Sequence, residues 1–475
     1  MGISAVLPRG TRSDKALNMR LIAPRPLTLV IITAGFVFSM AVNLPGHLSY
    51  DSVMQLLEGR AGTYSGWHPP IMSWLLGLTD AVVPGTTLFV FAVAFVLFAA
   101  LVSLLWLKPR PSWFAPPVAL LLVLSPQFLL YQGVVWKDVL FANAAVAGFV
   151  FLAHSGAVWR KARLRYAFLM LSFLLLVAAA LARQNGILLL PLAAIAAGWI
   201  ARRFGLSFWQ YLTYGAGALA FALVAILLAN VALETRVSGL WGPIRQFKLL
   251  EMYDLIGALR ADPNLPLYQL QQGDPEFLRL MRADGRRLYS PERSDTFNKS
   301  AALERARAAA PIAPLRQQWV GFIRGRPWLY LRERTQVFRW IFLTPDIRVC
   351  VPFYFGIDGP PGPMKWLGIK PRYDPRDEAL ENYGEHFIGT PALFHPFFFA
   401  LALAETAFLF YRRRVADIPF ALMLVGAIGF TLTFFVIAIA CDYRYLYFLD
   451  LAAMTGLFYM ALDPRPTRNS QSLNG

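Results

Sequence analysis

The chain is written around a succession of apolar runs, each about long enough to cross a bilayer as a helix. They fall at about 27–44, 86–107, 114–131, 138–154, 167–182, 186–201, 211–233, 393–411, 418–440 and 445–462. Of the 475 residues, 57% are hydrophobic, and the mean hydropathy is +0.48. A soluble domain does not carry that much apolar surface, because only lipid can cover it. The fold class expected is therefore an all-α polytopic membrane protein with about ten transmembrane helices. A formal net charge of +17 would suggest nucleic acid in a soluble chain. Here the basic residues cluster between the apolar runs, so membrane orientation accounts for them and no nucleic-acid partner is expected.

Placing the N-terminus inside puts Lys108 and Arg110, Arg160 to Arg165, Arg202 and Arg203, Arg412 to Arg414, and Arg465 and Arg468 all in the cytoplasm. Every such loop agrees with the positive-inside rule, so both termini are expected on the cytoplasmic side. The basic stretch Arg9, Arg12, Lys15, Arg20, Arg25 leads into the first run without an A-x-A cleavage site and reads as an uncleaved anchor. The expected organisation is a transmembrane module over 1–233, a mixed outer insert over 234–392, and a second transmembrane module over 393–475. Within the first outer loop, 45–85, the short apolar stretch 70–84 suits a helix lying in the interface. In the insert, Pro327–Leu343 alternates aromatic and basic positions, as in an interfacial helix whose arginines reach phosphates. A disulfide between Cys350 and Cys441 needs an oxidising compartment; free thiols are the reading taken here.

In this topology Asp51, His68, Lys137, Asp138, Arg183, Asn185, Asp442, Tyr443 and Arg444 all lie at outer ends of spans or just beyond them. Ionisable groups at membrane depth are costly unless paired or wetted, so both signs on one side describe a polar cavity opening outward. For any one residue the plainer reading is a helix-end anchor or a local ion pair. Asp51 in particular could cap the helix beginning near Ser52. His68 has one histidine neighbour in its loop, His47, so a metal site lacks support; a divalent cation assisting catalysis is left open.

The layout resembles the GT-C superfamily of polytopic glycosyltransferases, particularly aminoarabinose transferases and protein O-mannosyltransferases. Asp51 matches the acidic residue of the first outer loop, and His68-Pro69-Pro70-Ile71 the element opening an interfacial helix. Ser125-Pro126 with Asp138, then Arg183 to Gly186 followed by a Leu-rich span with Pro191, match in order. The large outer insert matches in position. The family's first loop often carries Asp-Glu, whereas Tyr50-Asp51-Ser52 supplies one carboxylate, with Glu58 the nearest spare. The resemblance implies transfer of a sugar from a polyprenyl-phosphate carrier to a lipid, glycan or protein acceptor, on the periplasmic side of a bacterial cell inner membrane. Asp51 would be the catalytic base, with Asp138 and His68 in support. Lys137, Arg183, Asn185, Tyr443 and Arg444 would bind substrate. The competing readings are an O-antigen-type polymerase or ligase, with essential arginines in the insert, and a transporter, which would place charges at the midplane and repeat its halves.

Overall fold

The computed structural model describes residues 23–237 and 242–466. The basic residues Arg9, Arg12, Lys15 and Arg20, and Arg468, lie outside the described residues. Eight described helices are long and apolar enough to cross a membrane: Pro24–Asn43, Thr87–Leu104, Lys137–Ala157, Ala162–Ala182, Gln184–Arg203, Phe208–Glu234, Val415–Ile437 and Tyr443–Leu462. The run 114–131, expected as one straight span, is instead a pair of helices, Ala115–Leu124 and Pro126–Gly133, bent by 67°. Pro126 has no N–H to donate and drives the residue before it out of the helical region. Ser125 accordingly sits at φ −73°, ψ 154°. The run expected at 393–411 is the helix His395–Arg412. It is not among the eight, since His395, Glu405 and Arg412 lie on its buried face, but it packs against both of the last two spans.

Two spans form the centre of the bundle. Residues are 94% buried along Lys137–Ala157 and 83% along Tyr443–Leu462, against 11% along the peripheral Phe208–Glu234. The central pair pack on each other and start at the same end, where Asp138 and Arg444 approach to 3.8 Å. At the opposite end the basic loops gather: Lys108 lies 3.8 Å from Asp463, Arg414 donates to the same carboxylate, and Arg412 pairs with Asp417.

The first outer loop is built to hold its helix still. Tyr50–Ala61 starts at Ser49, whose N–H donates to the Ser52 hydroxyl at 3.3 Å, and ends at Gly62 in the left-handed region. The cap position is therefore Ser49's and not Asp51's, which lies in the first turn. The following helix, Pro70–Val82, crosses Tyr50–Ala61 so closely at Gly59 and Gly77 that a Cβ on either would strike the other's backbone. Glu58 accepts from Ser73 Oγ at 2.8 Å and from the Ser65 N–H at 2.9 Å, joining the two helices.

Residues of the insert form helices and loops, with only isolated bridges among the described residues. Its helix Pro327–Leu343 departs from the interfacial expectation at Arg334. That side chain is fully buried, lies 3.3 Å from Asp254, and donates to the carbonyls of Val436 and Ala438 at 2.7 and 2.8 Å. It ties the insert to the bundle and reaches no phosphate. The cysteines also differ from expectation: Cys350 and Cys441 are bonded. They stand 91 positions apart, but the loop after Pro327–Leu343 folds back onto the last span, where the Tyr443 N–H donates to Cys350 O at 2.8 Å. Free thiols were expected because proximity of this kind is set by the tertiary fold.

Candidate active site

The outer ends of the two central spans and the first outer helix meet in one cluster of charges. Arg444 is its hub: its Nη2 donates to Asp51 Oδ2 at 3.0 Å and to Asp442 Oδ2 at 2.9 Å, and its Nε is 3.8 Å from Asp138 Oδ2. The guanidinium lies over the Trp136 ring, 4.7 Å from the centroid. Asp138, 2% exposed, also accepts a hydrogen bond from Arg183, which sits over the Tyr445 ring at 4.8 Å. Asp138 thus stands behind two arginines and orients them.

Lys137 Nζ, a donor only, is 3.3 Å from His68 Nδ1. That nitrogen must accept, so the ring proton is on Nε2, which faces Asp51 Oδ1 at 3.6 Å. Burial lowers the His68 pKa, and the Lys137 charge lowers it further, against the opposing pull of Asp51; His68 is a neutral donor at physiological pH. Burial by itself would raise the Asp51 carboxyl. The His68 hydrogen bond and the charges of Arg444 and Lys137 outweigh it and hold the carboxyl well below the usual carboxylate range. Asp51 is ionised, and its side chain keeps 31% exposure to the space in front of it.

That space is a cavity of about 530 Å³, and Ser49, Tyr50, Asp51, Trp136, Tyr354, Asp358, Asp442 and Arg444 are among its lining. A larger groove of about 920 Å³ runs between Gln184–Arg203 and Phe208–Glu234, but it is apolar, has no carboxylate and lies on the lipid-facing flank.

Six of the sequence-derived candidates are brought together: Asp51, His68, Lys137, Asp138, Arg183 and Arg444. Two are not. Asn185 donates to Thr433 Oγ1 at 2.9 Å and braces the turn between two spans. Tyr443 is fully buried, stacked on His395 at 3.9 Å with its hydroxyl donating to Asp450 at 2.9 Å. His395 is fully buried too and lies 2.9 Å from Asp450. The sequence reading placed Asp442 on this face without giving it a role; beside Arg444 it has one. Trp136, Tyr354 and Asp358 were not singled out; Trp136 adjoins Lys137, while the other two come from the insert and carry no local signal. Among the described residues no three His, Cys, Asp or Glu side chains gather in a way that could hold a metal ion. The site carboxylates converge on Arg444 instead, and no step below is routed through a metal.

No family model matches the chain, and no curated protein does. Among solved structures, it is similar to the archaeal oligosaccharyltransferase AglB from Archaeoglobus fulgidus in complex with an inhibitory peptide and a dolichol-phosphate. That likeness covers 91% of this chain and 50% of the other, at 14% identity and a TM-score of 0.39. The apo form of the Archaeoglobus fulgidus oligosaccharyltransferase gives 13% identity and a TM-score of 0.41 over the same shares. The chain spans about half the length of these proteins. A likeness so distant carries no weight for function.

Proposed function

We propose that this chain is a GT-C-type glycosyltransferase that moves a sugar from a polyprenyl-phosphate carrier to an acceptor hydroxyl. The observation that carries the reading is one ionised, water-facing carboxylate, Asp51, in a cluster with Lys137, Arg183 and Arg444 at the ends of the two central spans. Cations there suit the carrier phosphate, which gains charge as it leaves. The acceptor oxygen forms a bond to the anomeric carbon as the bond from that carbon to the phosphate oxygen breaks. The acceptor proton passes to Asp51, and the bonding pair stays with the lipid phosphate. In the free protein Arg444 and His68 keep Asp51 a weak base. A donor phosphate that draws Arg444 and Lys137 toward itself leaves Asp51 more basic, so base strength arrives with the donor.

The disulfide beside Arg444 belongs in an oxidising compartment, and the basic loops lie at the other end of the bundle. Both support an outward-facing site, which in a bacterial inner membrane is periplasmic. Asp51→Asn is the test. It should lower turnover with a polyprenyl-phosphate sugar by about 10²–10⁴-fold while fold and donor affinity survive. Near-normal turnover in that variant would overturn the mechanism.

A further inference from the structure

Around Arg444 the cavity is lined mainly by carboxylates and aromatic rings. Its outer wall carries Tyr50, 62% exposed, and the half-buried Tyr354, together with the carboxylates of Asp51, Asp358 and Asp442. Arg444 is the one cation in the lining, and Asp51 and Asp442 already share it. Asp358 is exposed, and only its Oδ1 accepts a hydrogen bond, from Gly359 N–H at 2.8 Å; Asp442 Oδ1 accepts none among the described residues. The wall therefore carries unused carboxylate acceptors beside the hydroxyls of Tyr50 and Tyr354.

We infer that this wall is the acceptor subsite and that the acceptor is an uncharged saccharide. The inference rests on the glycosyltransferase reading above and names its acceptor class. Sugar hydroxyls are donors, and a carboxylate offers two oxygens that can take neighbouring hydroxyls at once. The C–H face of a pyranose packs on an aromatic ring, whose face is electronegative; Tyr50 and Tyr354 supply such rings. A volume of about 530 Å³ lies within the range of small-molecule sites. An acceptor bearing phosphate or carboxylate would bring its charge against Asp51, Asp358 and Asp442. A peptide alternates N–H and C=O groups and needs donors as often as acceptors, whereas this wall sets three carboxylates against two tyrosine hydroxyls and an already shared Arg444.

The test uses the full chain in lipid nanodiscs without donor, titrated with maltotriose, mannotriose and arabinotriose, with trigalacturonate, and with an unglycosylated Ser/Thr-rich peptide. At least one neutral trisaccharide should bind, and trigalacturonate about tenfold more weakly. Asp358→Asn and Tyr50→Ala, both at exposed positions, should each weaken saccharide binding by about tenfold, and Asp463→Asn at the far end of the bundle should not. No neutral saccharide bound, preference for trigalacturonate or the peptide, or wild-type affinity in both wall variants would each overturn the inference. Saccharide binding alongside normal turnover of Asp51→Asn would sink the base mechanism alone. Loss of turnover in Asp51→Asn without saccharide binding would sink the acceptor class alone.

Discussion

At the basic-loop end, Arg412 donates to both oxygens of Asp417 at 2.8 and 2.5 Å, and both side chains are almost wholly buried. Arg414 and Lys108 meet at Asp463, and Lys108 also reaches Tyr459. At the other end Arg444 serves Asp51, Asp442 and Asp138 at once, while the hydrogen-bond partner of Lys137 is a neutral histidine. The side chains are of the same types, yet at the first end each carboxylate is held by a guanidinium of its own, while at the other a single guanidinium is shared among three carboxylates. Matched buried pairs fasten helices together, and breaking one leaves an uncompensated charge. A guanidinium shared among several carboxylates can redistribute its contacts when a new anion arrives. The difference separates a fastener from a site better than the presence of charge in the membrane does.

The contrast can be broken most forcefully at the fastener. Arg412→Ala strands Asp417 and should cost about 3–5 kcal/mol of stability, read by denaturant unfolding in detergent. Donor affinity of the protein that remains folded should not change; a parallel loss of affinity would mean the two ends are not distinct. Arg183→Ala should change affinity as well as stability, because it also takes the hydrogen-bond donor from the buried Asp138. Removing a charged donor to the phosphate weakens donor binding by about 1.5–3 kcal/mol, measured on the folded fraction by titration with a polyprenyl-phosphate sugar. Unchanged affinity would take Arg183 out of the phosphate site.

A smaller effect should appear at Glu333 of the insert. Burial, moderated by Arg334, lifts its pKa to about 7, and its Oε1 has no hydrogen-bond partner among the described residues. The folded state therefore holds a proton that the unfolded chain releases above about pH 4.3. Stability should fall as pH rises from about 4.3 to about 7, by on the order of 1–2 kcal/mol. Glu333→Gln should flatten that part of the melting-temperature profile; an unchanged slope would show that the carboxyl titrates normally.

Spans and the site differ in how far they could be read from residues alone. Apolar runs report burial in lipid directly, so the eight crossing helices were legible, and so was the gathering of Lys137, Asp138, Arg183 and Arg444 at span ends. The bend at Ser125-Pro126 was legible in principle, because proline's missing N–H is a local fact. Tyr443 was not: its neighbours are charged and near water, but stacking on His395 turns it into the core. The pairing of Cys350 with Cys441, the burial of Arg334 and the wall formed by Tyr354 and Asp358 all depend on where the insert folds back. No periodicity records that, because contacts across hundreds of positions leave no mark on adjacent residues.

The link between Arg444 and Asp51 spans 393 positions, and this has a consequence for biogenesis. At synthesis rates of about 5–20 residues per second, roughly 20 to 80 s separate the emergence of the two side chains. Throughout that interval the first outer helix is already in place and its carboxylate lacks the arginine. A nascent chain, or one truncated before the last span, therefore lacks the assembled cluster, which is complete only with the final helix.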